Sequence, residues 1–195
     1  MTLTELQSEV KLITKRPDLS TETLLAVRRA TLAAHHSDYF YKDIYETPIQ
    51  FKTPAYRHDI NYRTSFPLYR SVKYLRKITA TGPAGSFLTC IQPESVVDSY
   101  YTNQLDVFYT VGDYIKVLSS TELEYILFGC YLHPDVTEGG YNSWIATEHP
   151  YAIVFTAAEM IFKMIGKTEE FAAYKMLRDE EFKQLAMSNL QGVGY

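Results

Sequence analysis

Cysteine, tryptophan, excess charge of one sign and long apolar runs are all scarce in this sequence, and each scarcity excludes something. The chain has two cysteines and one tryptophan in 195 residues. Cys90 and Cys130 stand far apart and form no CxxC pair, so neither a zinc knuckle nor a disulfide framework is indicated. They read as reduced, buried small hydrophobes of a cytosolic product. No apolar run approaches the roughly 20 residues of a membrane-spanning helix. The first residues, MTLTELQSEVKLITKRPDL, are amphipathic and carry acids early, unlike a signal peptide. Net charge is −4, which gives no basic surface for non-specific nucleic-acid binding. Neither the full G-x-x-x-x-G-K-[ST] phosphate loop nor a G-x-S-x-G nucleophile elbow occurs.

What is abundant is tyrosine, 17 residues, concentrated between Tyr39 and Tyr141. Tyrosine combines a large apolar body with a polar tip, which suits strands and interfaces. Around this middle stretch the periodicity is helical. Leu3, Leu6, Val10 and Ile13 predict a helix over residues 3–15, stopped by Pro17. Ser20 is placed to cap a second helix over about 21–37, with Leu24, Val27, Thr31 and Ala34 as its stripe and His35 and His36 in its last turn. The clearest helix follows Pro150, where Ile153, Val154, Ala157, Ala158, Ile161, Met164 and Ile165 recur on one face and Gly166 ends it. Thr168 reads as the cap of a last helix, with Glu169 and Glu170 in its first turn.

Between residues 42 and 131 the period changes to that of an antiparallel sheet. Strands are expected at 44–51, 66–78, 87–91, 106–111, 114–119 and 125–131, with an exposed loop at 81–86. Gly112-Asp113 is a two-residue hairpin connection of the type II′ kind. The expected fold class is therefore α+β: one domain over 1–195, a bundle of about four helices from residues 1–41 and 142–190, an inserted antiparallel β lobe over 42–131, and a flexible tail at 191–195.

Chemistry-bearing residues are present but not in convincing constellations. His35 and His36 are adjacent, so on a helix they diverge by about 100° and do not share a metal. His58-Asp59, His133-Pro134-Asp135 and Glu148-His149 each set a histidine near a carboxylate, and read as solvated turn residues or caps. Cys90 carries no sign of a nucleophile, and Trp144 reads as a core or hairpin anchor. Glu169-Glu170 and Asp179-Glu180-Glu181 read as solvated helix faces. The last helix says more. Phe171, Tyr174, Phe182 and Leu185 share one face, interrupted by Arg178, while Ala173, Leu177 and Met187 lie on another. One face can be buried in its own domain and the other left for a partner.

Two stretches and the layout resemble a known family. Leu24-Leu-Ala-Val-Arg-Arg-Ala-Thr-Leu-Ala-Ala-His-His36 leads into the aromatic and acidic turn Ser37-Asp-Tyr-Phe-Tyr-Lys-Asp43. After the tyrosine-rich insertion the chain returns through Trp144-Ile145, Pro150-Tyr-Ala-Ile153, Ala157-Ala-Glu-Met-Ile-Phe162 and Gly166, and closes with Arg178-Asp-Glu-Glu181 and Leu185. In this the chain resembles the head-to-tail adaptor (connector) proteins of tailed bacteriophages. The resemblance implies a virion protein of the neck, made in the host cytoplasm, with no catalytic or metal residues and no cofactor. It implies a ring of about twelve copies below the portal protein, with DNA passing through without specific binding. The implied partners are the portal, neighbouring subunits and a downstream tail or nozzle protein, and no membrane. Portal docking would fall to Phe182, Leu185, Met187, Leu190, Val193 and Tyr195, and subunit contacts to Tyr109, Tyr114, Phe171 and Tyr174. The competing expectations are a stopper or tail-completion protein, a non-viral helical interaction module, or an enzyme or small-molecule binder using His133, Asp135 or His149 between sheet and helices.

Overall fold

The computed structural model describes residues 1–79, 85–94 and 104–192, so most of the expected loop at 81–86 lies outside the described residues. The chain divides into two compact units, Met1–Asp43 with His133–Tyr195, and Ile44–Leu132. The first unit is helical. It comprises α1 (Leu3–Thr14), α2 (Ser20–His36), a one-turn 3-10 helix (Tyr41–Asp43), α4 (Trp144–Glu148), α5 (Pro150–Met164) and α6 (Thr168–Gly192). The second holds β1 (Ile44–Asn61), α3 (Tyr62–Ser65), β2 (Tyr69–Ile78), β3 (Thr89–Cys90), β4 (Val107–Val111) and β5 (Tyr114–Leu132).

This corrects the expected architecture. The described residues hold six α-helices and a five-stranded mixed sheet with a core of its own, not a bundle of about four helices carrying an inserted antiparallel lobe. β5 is the organising strand. It pairs antiparallel with β1 on one edge, and with β2 and β4 on the other. β3 then joins β4 in parallel, which makes the sheet mixed. The strands expected at 114–119 and 125–131 are one strand of 19 residues. The apparent break has a physical cause. Buried side chains on β5 fall at odd positions, Ile115, Val117, Ser119 and Leu123, and then at even ones, Ile126, Phe128 and Cys130. A one-residue change of phase turns a strand over. Here it coincides with the register slips of β1 between Gln50 and Arg57, around Pro54, and a bulge lets both halves bury the same face. Ile60, Leu75, Leu88 and Phe108 complete that core.

Local chemistry sets the ends of the elements. Thr2 and Glu5 form a capping box on α1. Leu19, not Ser20, is the N-cap of α2, and Ser20 Oγ donates to the Pro17 carbonyl. Asn61 and Ser143 cap the short helices α3 and α4, which span too few residues to show a helical period in the sequence. Gly112 has φ +56° and Asp113 does not share it, the pattern of a type II′ hairpin. The helical core draws on both halves of its unit, with Leu6 and Val10, Val27 and Ala30, and Ile145, Ile153 and Ile161 all buried together.

Two features of the sheet unit give measurable consequences. Gly129 lies opposite Tyr74, and a Cβ there would stand 2.6 Å from the Tyr74 ring. Gly129→Ala should cost about 1–3 kcal/mol in urea unfolding, and that cost should vanish in a Tyr74→Ala background. Asp106, at φ +64°, takes hydrogen bonds from the Ser120 backbone N–H at 2.8 Å and from the Ser120 hydroxyl at 2.9 Å, and pairs with Lys77. Burial alone would raise its carboxyl, but the Lys77 and Ser120 hydrogen bonds and the Lys77 charge outweigh it and lower the pKa to about 2. A carboxyl lowered on folding stabilises above its unfolded pKa, and the contribution is lost as pH falls through the folded value. Thermal unfolding should therefore show wild type losing more stability than Asp106→Asn between about pH 4 and pH 2.

Candidate functional site

The helical unit contains a buried polar cluster that joins its two sequence halves. His35 comes from the last turn of α2, Asp43 from the 3-10 turn, and Ser143 and Trp144 from the start of α4. The Trp144 indole N–H donates to Asp43 Oδ1 at 2.7 Å. An indole can only donate, so that oxygen is the acceptor. His35 Nδ1 lies 2.8 Å from the same oxygen, and its Nε2 lies 2.9 Å from Ser143 Oγ. With the carboxylate accepting at Nδ1, the ring bridges Asp43 to the Ser143 hydroxyl. Ser143 Oγ in turn accepts the Ala146 N–H at 3.2 Å and caps α4.

The connectivity is that of a serine–histidine–aspartate triad, but the setting is not one for attack. His35 is 2% exposed and Ser143 6% exposed. The hydroxyl is held between an imidazole and a helix cap. Its role here is to tie residues 35–43 to residues 143–146. Phe40 packs edge-on to Trp144 at 5.2 Å between ring centres, and Lys42 stands over the indole and pairs with Glu148. Sequence reasoning missed this cluster because its members come from distant parts of the chain, His35 and Ser143 being 108 residues apart. The only local hint was a serine just before Trp144, at a helix start.

The other histidine–carboxylate pairs do not converge. His58 stacks on Phe51 and contacts the Leu123 carbonyl at 3.0 Å, while its neighbour Asp59 pairs with Lys116. Adjacent strand residues point to opposite faces, which separates them. His133 Nδ1 lies 3.0 Å from His36 Nε2. Asp135 accepts from the Thr137 N–H and hydroxyl, which lower its carboxyl below the usual range. His149 sits between α4 and α5, edge-on to Trp144. Among the described residues no group of three or more histidine, cysteine, aspartate or glutamate side chains could hold a metal ion. Cys90 is exposed, contrary to expectation, because β3 is a two-residue edge strand. Cys130 is buried, and burial pushes its thiol up to about 11.

The last helix is two-sided. Phe182 and Leu185 face the helical core, Leu185 with no exposure at all. Tyr174 packs against Phe155 and Phe162 of α5, and Phe171 is half-buried. Arg178, which seemed to interrupt this face, donates to Glu159 of α5 at 2.6 Å and belongs to it. Asn189 fastens the far end of the helix, donating to Asp38 Oδ2 at 3.1 Å and accepting from the Tyr41 N–H at 3.2 Å. Opposite stand Met176, Leu177, Met187 and Leu190, with Met187 64% and Leu190 63% exposed. On a helix of about 3.6 residues per turn, positions 176, 187 and 190 return to one stripe. Among the docking residues expected from sequence, Leu185 is withdrawn into the core and Phe182 packs against it, while Met187 and Leu190 are available. Val193 and Tyr195 lie outside the described residues. In the sheet unit, Tyr114 is exposed at the hairpin and Tyr109 is half-buried on β4.

A second apolar feature lies between α2 and α5. Leu25, Ala26, Met160, Ile161 and Met164 line a groove of about 350 Å³, edged by Glu22, Arg29 and Lys163. No protein-family model matches the chain, and no curated protein matches its sequence.

The buried cluster gives a direct test. Asp43→Ala leaves the Trp144 and His35 donors facing a void and should cost about 2–4 kcal/mol in urea unfolding. Asp43→Asn keeps an oxygen for Trp144 and should cost less.

Proposed function

We propose that the protein is an assembly subunit, and that its role is that of a tailed-phage head-to-tail adaptor, one copy in a ring joining portal to tail. The observation that carries this reading is the exposed apolar side of α6. A helix of 25 residues spans about 37 Å, and its core-facing side is already satisfied. Four large apolar side chains exposed on one helix, Met176, Leu177, Met187 and Leu190, fit a surface that meets another chain. The adaptor form of the proposal draws on the Leu24–His36 helix with its Val27-Arg-Arg-Ala30 and the aromatic turn after it, on the return through Trp144 and Pro150, and on the closing charged helix.

In this reading the end of α6, with Met187 and Leu190 and the Val193 and Tyr195 that follow, contacts the portal. Tyr114 and Tyr109 on the β4–β5 hairpin face a neighbouring copy or the next tail component, where aromatic groups are favoured. A net charge of −4 suits a conduit that must not grip DNA, since lysine and arginine contacts to phosphate dominate such affinity.

Pull-down of the purified chain by its portal ring tests the assignment. Met187→Glu combined with Leu190→Glu should weaken capture roughly tenfold or more while the unfolding midpoint stays put. Deleting residues 192–195 should act in the same direction. Leu185→Ala should instead lower stability by about 2–5 kcal/mol. Capture unchanged by the exposed-side variants would sink the docking assignment.

A further inference from the structure

The exposed side of α6 is longer than a portal contact at its end requires, and its first half has a counterpart on the same molecule. Met176 and Leu177 stand outward there, with Glu180 one turn on. Glu180 makes no ion pair among the described residues, whereas its neighbour Asp179 is held by Arg178. The groove between α2 and α5 has the complementary character. Its floor is apolar, Leu25 and Met164 are exposed at its mouth, and two cations, Arg29 and Lys163, outnumber the single carboxylate, Glu22, at its edge. Neither cation makes an ion pair among the described residues. Each surface thus supplies what the other lacks: an apolar ridge with a carboxylate beside it, and an apolar groove with cations beside it.

We infer that the groove receives α6 of a second copy of this chain, with Met176 and Leu177 entering between Leu25 and Met164 and Glu180 meeting Arg29 and Lys163. The inference rests on the assembly reading above and names the partner for the half of α6 that the portal contact leaves open. The two patches are different, so the contact is heterologous. Each copy uses its ridge on one neighbour and its groove on the other, and the outcome is a closed ring or an open filament, not a twofold dimer. Apolar insertion supplies the attraction, and the charges set register and exclude the reversed orientation.

Sedimentation velocity of the full chain over a concentration series tests this. Wild type should grow in mass beyond a dimer as concentration rises. Leu25→Glu, which spoils the groove, and Met176→Glu, which spoils the ridge, should each be monomeric, with circular dichroism unchanged. Mixed in equal amounts, the two variants retain one intact groove and one intact ridge, so they should form pairs and nothing larger. Arg29→Glu should weaken association severalfold, and adding Glu180→Arg to the same chain should restore it. A wild-type chain that stays monomeric, or variants that associate as well as wild type, would overturn the contact. The portal pull-down separates this from the function itself. Portal capture with no effect of Leu25→Glu or Met176→Glu on mass leaves the adaptor role standing and removes this contact. Self-association through the two patches without portal capture does the reverse.

Discussion

The hydrogen bonds that meet at Asp43 hold the helical unit to a single arrangement. Its chain is interrupted: it departs after Asp43 and resumes at His133. Trp144 and Asp43, bonded at 2.7 Å, are 101 residues apart in sequence. Closing so long a loop costs entropy that grows only slowly with its length, which is how a whole sheet can be inserted. Apolar contacts among Leu6, Val27, Ile145 and Ile153 supply most of the attraction between the halves. They are non-directional. The Trp144–Asp43–His35–Ser143 chain adds direction, because each donor has one acceptor and a misplaced helix would strand buried polar groups.

That constraint also fixes which side of α6 is inside. The helix is apolar on both sides, so its own sequence does not choose. Phe182 and Leu185 reach the core, Arg178 finds Glu159, and Asn189 binds the 38–41 turn next to the Asp43 cluster. These anchors turn Met176, Leu177, Met187 and Leu190 outward. The functional proposal is therefore a consequence of packing: the exposed stripe exists because the opposite side satisfied the core first.

The period of the apolar residues made the long helices legible. Leu3–Thr14, Ser20–His36 and Pro150–Met164 lie where the 3.6-residue pattern put them, and Gly112 at positive φ marks the hairpin that Gly-Asp demanded. Less legible was whatever depends on distant partners. The continuity of β5 was hidden by a change of phase that only the bulged β1 compensates. The parallel pairing of Thr89–Cys90 with β4 leaves no local trace, and the four- and five-residue helices α3 and α4 are too short to show a period. At the surface, the two-sidedness of α6 was visible in Phe171, Tyr174, Phe182 and Leu185 against Leu177 and Met187. That Leu185 is core and Leu190 surface was not, since it depends on Asn189 and on residues 38–41.

The central claim is that the exposed side of α6 makes the protein an assembly subunit. Native mass spectrometry of the full chain mixed with its portal ring tests it most directly. An adaptor should give a new species whose mass equals the portal ring plus a complete ring of copies of the chain. Portal and chain recorded only at their separate masses, at every ratio, would contradict it.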